Sequence, residues 1–110
     1  MRVKELSKVL GIEPIQPDFE DAEIRGGYTS DLLSDVMAHA TPGSVLITIQ
    51  AHKNTVAVAG LVGIAAIILA NGRPVPEDMV EAARRERIAI FCSQETQFVL
   101  SGKLYPLLGS

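Results

Sequence analysis

The sequence predicts an α/β fold, in which a small, mostly parallel sheet is covered by helices on both faces. Three short apolar segments, residues 44–50, 65–70 and 88–92, read as buried strands, and a loop and a helical pattern follow each of them. Such strand-loop-helix units imply parallel strands with right-handed crossovers. With 110 residues, 47% of them hydrophobic, the chain fills one core, so we expect a single domain over residues 1–110.

The first quarter of the chain reads as a helix followed by irregular structure. Apolar residues of segment 3–10 recur at helical spacing, and Gly11 predicts the end of that helix. Two prolines and an acidic cluster interrupt any regular pattern over residues 12–21, which predicts a surface connection. A short strand is expected over residues 22–25.

A glycine pair then opens the next predicted helix. Gly26, Gly27 and Tyr28 are interpreted as a turn, with Thr29 or Ser30 as the N-cap of the helix. Asp31 falls in its first turn, where the helix dipole favours a carboxylate. The apolar stripe of this helix consists of Leu32, Leu33, Val36, Met37 and Ala40.

The remaining helices alternate with the three strands. A helix over residues 55–61 is capped by Asn54, and a second one over residues 77–87 begins after Pro76. Ser93 begins the last helical stretch, which Gly102 and Pro106 are expected to loosen.

Composition and charge exclude several functional classes. The net charge of -3 and the scattered basic residues argue against nucleic-acid binding, which needs a basic face. Cys92 is the single cysteine, so no intramolecular disulfide forms and a reducing cytoplasm is expected. The charged residues 1–5 do not resemble a secretory signal. The longest apolar run, residues 56–70, is shorter than the roughly 20 residues that cross a bilayer, so no membrane contact is expected.

Three segments carry a resemblance to a known family. They are Gly26-Gly27-Tyr28-Thr29-Ser30-Asp31-Leu32-Leu33-Ser34-Asp35-Val36-Met37, Thr48-Ile49-Gln50-Ala51-His52-Lys53-Asn54 and Phe98-Val99-Leu100-Ser101-Gly102-Lys103-Leu104-Tyr105. Together they resemble a stand-alone DRTGG domain protein, similar to the N-terminal domain of HPr kinase/phosphorylase. The resemblance extends over nearly the whole chain from Leu6.

The resemblance implies a three-layer α/β/α fold and an accessory role as a homodimer, and it names no ligand or cofactor. The literal Asp-Arg-Thr-Gly-Gly string is absent, and no Gly-x-x-x-x-Gly-Lys-Ser/Thr phosphate loop occurs in the chain. The kinase activity of the HPr enzyme is therefore not expected here.

Candidate ligand-binding residues follow the predicted strands, because ligands of parallel sheets collect beyond the carboxyl ends of the strands. We expect a phosphate or carboxylate near the start of the helix at Asn54, with charge from Lys53 or Arg73 and a hydrogen bond from His52. The full set of candidates is Gln50, His52, Lys53, Asn54, Asn71, Arg73 and Ser93. In the alternative interpretation, Asn54 only caps its helix and both cations are solvated.

Other clusters suggest weaker hypotheses. Gly26 and Gly27, with Tyr28, Ser30 and Asp31, form a secondary phosphate-binding candidate, although such a pair more often marks tight backbone geometry. Asp31, Asp35 and His39 recur every four residues, which suits a metal site or, more simply, a solvated face. A further hypothesis is a nucleophilic pair of the Cys92 thiolate and the His52 imidazole. In the alternative interpretation, Cys92 is an ordinary residue of the apolar core.

Three functions are compatible with these patterns. The leading hypothesis is a non-catalytic, homodimeric, ligand-sensing regulatory domain that binds a small anion such as a nucleotide. The opposing hypothesis is an interaction module without a ligand site, in which the apolar segment 104–108 contacts a second subunit or a partner protein. The third is a hydrolase or transferase that uses His52.

Overall fold

The computed structural model describes residues 1–108, which form three layers around one sheet. The strands are β1 (Pro14–Gln16), β2 (Gly26–Thr29), β3 (Ser44–Thr48), β4 (Ala66–Leu69) and β5 (Ala89–Cys92). The helices are a 3-10 turn (Val3–Glu5), α1 (Leu6–Leu10), α2 (Leu33–His39), α3 (Lys53–Val62), α4 (Glu77–Glu86) and α5 (Gln97–Leu108). The predicted fold class, α/β with a small, mostly parallel sheet, is confirmed.

The sheet has the strand order β1-β5-β4-β3-β2. Strands β2 to β5 are parallel to one another, and β1 pairs antiparallel with β5. Every residue of β3 and β4 is buried, as their unbroken apolar sequences predict for strands covered on both faces. All four parallel strands end at the same side of the molecule, which we call the carboxyl end of the sheet.

Two apolar cores, one on each face of the sheet, hold the layers together. Helices α1 and α5 cover one face, where Leu100 and Leu104 pack against Val45 and Ile68. Helices α2, α3 and α4 cover the other face, where Met79 and Ala83 join the second core. Burial of these side chains contributes about 1.5–3 kcal/mol for each large one.

The N-terminal quarter differs from the sequence prediction. The predicted surface connection contains strand β1, and the predicted strand over residues 22–25 makes only an isolated bridge between Arg2 and Glu23. Gln16 is completely buried, although glutamine is usually exposed. Its side-chain amide bonds the backbone of Asp18 and Ile88, and these bonds satisfy the polar groups at the β1 edge.

The glycine pair is part of a strand and not a turn, so that prediction was wrong. Gly26 and Gly27 pair with Ser44 and Val45 in parallel register. Helix α2 begins later than predicted, at Leu33, because Thr29 belongs to β2 and the Asp31 side chain bonds to β3.

The caps of α3 and α5 also correct the sequence analysis. His52, not Asn54, is the N-cap of α3, and its Nδ1 accepts the Asn54 N–H at 3.0 Å. Helix α5 begins at Gln97 rather than at Ser93, because the Thr96 hydroxyl accepts the Val99 N–H at its start. The helix continues through Pro106, which has no N–H to donate to the carbonyl of solvent-exposed Gly102.

Two glycines give a matched test of backbone conformation. Gly72 has a φ of +62°, and a Cβ there would clash with Gln94 Oε1, whereas a Cβ on Gly102 in α5 would meet no atom within 4 Å. We expect Gly72→Ala to lower the free energy of unfolding by about 1 kcal/mol and Gly102→Ala to raise it by about 0.5–1 kcal/mol. Urea unfolding of both variants measures this, and equal shifts of the two would contradict it.

Candidate functional site

The carboxyl end of the sheet brings together the three predicted loops and the segment that follows β2. The Asn71 N–H donates to the Glu95 carbonyl at 2.9 Å, and the Gly72 N–H donates to the Ser93 carbonyl at 2.8 Å. On the other side, Gln50 Nε2 donates to the Asp31 carbonyl at 3.0 Å. These bonds join the loop after β4 to the loop after β5, and the loop after β3 to the segment after β2.

The Asp31 carboxylate is the best-connected group at the carboxyl end of the sheet. Its Oδ1 accepts the Ile49 N–H at 2.9 Å and the Thr48 hydroxyl at 3.1 Å. Its Oδ2 accepts Gln97 Nε2 at 3.1 Å, so the carboxylate joins β3 to the start of α5. Asp31 therefore places a carboxylate of the protein itself against the N–H that follows β3.

The hydrogen bonds keep Asp31 ionised. Partial burial raises the pKa of this carboxyl, but the bonds from Ile49, Gln97 and Thr48, together with the charge of Arg73, outweigh that effect and hold the pKa below its ordinary value. The carboxylate is therefore fully charged at neutral pH.

Gln97 and Thr48 are the site residues that the sequence analysis missed. Gln97 donates to Asp31 through its Nε2, while its buried Oε1 has no hydrogen-bond partner among the described residues. Thr48 was counted as a member of an apolar strand. The signals that could have identified them are a polar residue at the last position of the buried strand β3 and another at the first position of α5.

The start of α3 carries two exposed basic side chains. His52 and Lys53 both face solvent, and so does Asn54. The His52 ring and carbonyl already accept the N–H groups of Asn54 and Thr55, so few amides remain free there for an anion. A ligand at this point would be held mainly by side chains.

The loop after β4 presents Arg73 on a tight turn. Asn71 and Gly72 both have positive φ angles, and the Arg73 N–H donates to the Ala70 carbonyl at 3.4 Å. Arg73 and Asn71 are exposed. Ser93 is nearly buried and its hydroxyl accepts the Glu95 N–H, so this residue orders its own loop instead of facing solvent.

Cys92 and His52 do not form the hypothesised nucleophilic pair. Strand β4 lies between β3, which precedes His52, and β5, which ends at Cys92. The Cys92 thiol lies 3.9 Å from the Arg73 carbonyl, and burial raises the pKa of that thiol. A raised pKa disfavours the reactive thiolate.

The predicted stripe of Asp31, Asp35 and His39 is split in the structure. Asp31 precedes α2, whereas Asp35 accepts the Tyr28 hydroxyl at 2.8 Å and contacts His39 Nδ1 at 3.1 Å. These bonds hold the pKa of Asp35 below, and that of Tyr28 above, the ordinary value. Within residues 1–108, no three His, Cys, Asp or Glu side chains are grouped as a metal site.

A small apolar cavity of about 180 Å³ lies between β2 and α5. Gly27 and Thr29 line it from the strand, and Ser101 and Tyr105 line it from the helix. The Thr29 and Ser101 hydroxyls are 2.7 Å apart, which fixes the helix beside the strand. Leu104, predicted to belong to an exposed C-terminal segment, is buried in the core, while Tyr105 and Leu107 are exposed.

Comparison with known proteins gives a likeness among solved structures. No family model matches the chain, and no curated protein matches it. Among solved structures, the chain is similar to the CBS and DRTGG domains of the regulatory region of Clostridium perfringens pyrophosphatase, complexed with the activator diadenosine tetraphosphate. The TM-score is 0.71 at 13% sequence identity, and the match covers 93% of this chain and 45% of that chain.

At this identity the likeness shows the fold. The chain has the α/β architecture found in a CBS and DRTGG regulatory region, and it spans about half the length of that chain. The resemblance to the N-terminal domain of HPr kinase/phosphorylase stays a prediction. No helix within residues 1–108 has the length and apolar character needed to cross a membrane.

Proposed function

We propose that this chain is a non-catalytic regulatory domain that senses a small anionic ligand, such as a nucleotide, at the carboxyl end of the sheet. The observation that supports the proposal is that His52 and Lys53 follow β3, that Arg73 follows the neighbouring strand β4, and that all three side chains are exposed. In this proposal the domain works as a homodimer in the cytoplasm.

The charge at the carboxyl end of the sheet supports an anionic ligand. Neither Lys53 nor Arg73 forms a salt bridge with another residue of the described chain, although the protein carries a net charge of -3. Bonds from such cations to phosphate are about twice as strong as neutral ones. Gln50 and Asn71 add exposed amides that can bind polar groups of the same ligand.

The arrangement favours binding over catalysis. The Cys92 thiol is held in its neutral form by burial, and His52 Nδ1 is engaged as a helix cap. The Asp31 carboxylate, with hydrogen bonds to both of its oxygens, stabilises the loops. The nucleotide activator of the similar pyrophosphatase region supports the choice of a nucleotide for this chain.

Titration calorimetry with diadenosine tetraphosphate and with ATP tests the proposal. We expect saturable binding to the wild type, and we expect Arg73→Ala and Lys53→Ala each to weaken it at least about tenfold, because each removes one charge-assisted contact. Arg25→Ala is the matched control, since it removes an equal charge before β2, at the opposite end of the sheet.

The outcomes separate the alternatives. Binding that is weakened by Arg73→Ala and unchanged by Arg25→Ala supports the site. Equal weakening by both variants would indicate general charge attraction, and absence of binding by either nucleotide at millimolar concentration would remove nucleotides from the proposal.

A second candidate function, an interaction module without a ligand site, is favoured by one observation. Phe98 is 87% exposed and Tyr105 is 65% exposed, on a helix that packs beside an edge strand. Large exposed aromatic side chains are enriched in protein interfaces. In that case, the partner surface and not the carboxyl end of the sheet carries the function.

A further inference from the structure

Within residues 1–108, strand β2 leaves one edge of the sheet without a partner strand. It pairs only with β3, and it is the last strand in the sheet order. The Ser30 N–H donates to the Ile47 carbonyl of β3 at 3.2 Å. In a parallel pair, every second residue of a strand directs its N–H and C=O groups to the same neighbour, so the backbone groups of Tyr28 also face β3. The backbone groups of Gly27 and Thr29 therefore point outward, away from β3.

Exposed apolar side chains lie on α5, which packs beside this strand, and in the loop that follows it. Phe98, Ser101 and Tyr105 follow one stripe of α5, and the last two of them line the cavity beside Gly27. Leu32 is 64% exposed and follows Asp31. The Asp31 carboxylate accepts a hydrogen bond from Gln97, the residue that precedes Phe98. Phe98 is 87% and Tyr105 is 65% exposed, and large exposed aromatic side chains are enriched in protein interfaces.

The opposite edge of the sheet is protected, and β2 is not. Strand β1 has three residues, a register irregularity, and prolines at position 14 and just after its end. Such features prevent the pairing of edge strands between molecules. Residues 26–29 have no charged side chain, proline or bulge, so nothing in β2 opposes the addition of a strand.

We propose that β2 and the flanking apolar patch (Leu32, Phe98 and Tyr105) bind a second copy of this chain. The two β2 strands pair antiparallel across a two-fold axis, so that the two five-stranded sheets continue into one. This inference deepens the dimeric part of the proposed function and names its surface.

The charge of the surface favours a second copy as the occupant. A two-fold contact places the same patch on both sides, so any charge in it would meet its own like charge. Strand β2 and the patch carry no formal charge, while the whole chain carries -3. A surface selected for a different, basic partner would be expected to present acidic groups.

The test is the molar mass of the full chain in solution, measured by sedimentation between 1 and 100 µM. We expect a dimer for the wild type, and a dissociation constant raised at least about a hundredfold by Phe98→Glu, because two carboxylates would then be buried in one contact. Leu61→Glu is the matched control: Leu61 is 78% exposed on α3, in the layer on the opposite face of the sheet from α5.

Hydrogen exchange of the Gly27 and Thr29 amides makes the test specific for strand pairing. We expect slow exchange in the dimer and fast exchange in a folded Phe98→Glu monomer. A wild type that is monomeric at 100 µM overturns the inference, as does a dimer in which both amides exchange fast. If the wild type is monomeric but binds a nucleotide, the dimer surface is contradicted and the sensor function is not. The two proposals can therefore be tested independently.

Discussion

Replacement of Gln16 by leucine is expected to lower the free energy of unfolding by about 2–4 kcal/mol. The side chain is completely buried, and its amide donates to the carbonyls of Asp18 and Ile88 at 2.8 and 3.0 Å and accepts the Asp18 N–H at 2.7 Å. Leucine has a similar volume but leaves these three backbone groups without a partner, and unmade buried bonds are costly.

Urea unfolding monitored by circular dichroism measures the loss. Ile15→Ala is the matched control, because Ile15 lies next to Gln16 in β1 with about half of its surface exposed. This change should cost less than about 1 kcal/mol. A Gln16→Leu variant as stable as the wild type would show that apolar packing compensates for the lost bonds, contrary to the expectation.

The second large effect is expected for Asp31, where the result depends on the replacing residue. Leucine removes the acceptor of Ile49, Thr48 and Gln97 together, so we expect a loss of about 2–4 kcal/mol. Asparagine keeps one oxygen for Ile49 and Thr48, and the Gln97 amide can rotate so that its unpartnered Oε1 accepts the new N–H group. We therefore expect Asp31→Asn to cost less than about 1 kcal/mol.

The pH dependence of stability gives an independent check on Asp31. Its pKa is lower in the folded than in the unfolded chain, so its stabilising effect is complete above the unfolded value near pH 4 and is lost as the pH falls through the folded value. The difference in unfolding free energy between the wild type and Asp31→Asn should be constant above about pH 5 and should shrink below about pH 4.

Denaturant unfolding of both proteins from neutral to acidic pH measures this difference. Subtraction of the two curves removes the contributions of Asp35 and Glu23, whose pKa values are lowered as well. A difference that grows as the pH falls would reverse the sign and contradict the assignment of Asp31 as a charged acceptor.

The apolar pattern of the chain was sufficient to predict its central elements. Strands β3, β4 and β5 and helices α3 and α4 lie within a few residues of their predicted positions, because each is a continuous apolar or amphipathic segment. Strand β1 was missed because it has three residues, two of them partly or fully exposed, and its buried side chain is a glutamine. Its stability comes from contacts with β5 that no local pattern contains.

The loops that carry the candidate residues were predictable from the sequence, but their hydrogen bonds were not. The rule that strand ends collect ligands pointed to the loops after β3 and β4, where His52, Lys53 and Arg73 are exposed. It could not show that Asp31 leaves the helix to bind Ile49, because this bond joins residues that only the completed sheet brings together. The glycine pair was misread for a similar reason, since glycine suits both a turn and a strand that other segments approach closely.

The strand order has a consequence for the synthesis of the protein on the ribosome. Of the five strands in residues 1–108, β1 is made first, but it pairs with β5, which is made last. Strands β2, β3 and β4 can pair with one another as they emerge, while the polar groups of β1 stay bonded to water. The edge strand is therefore expected to join last, so a nascent chain that stops before residue 89 presents two bare sheet edges to its surroundings.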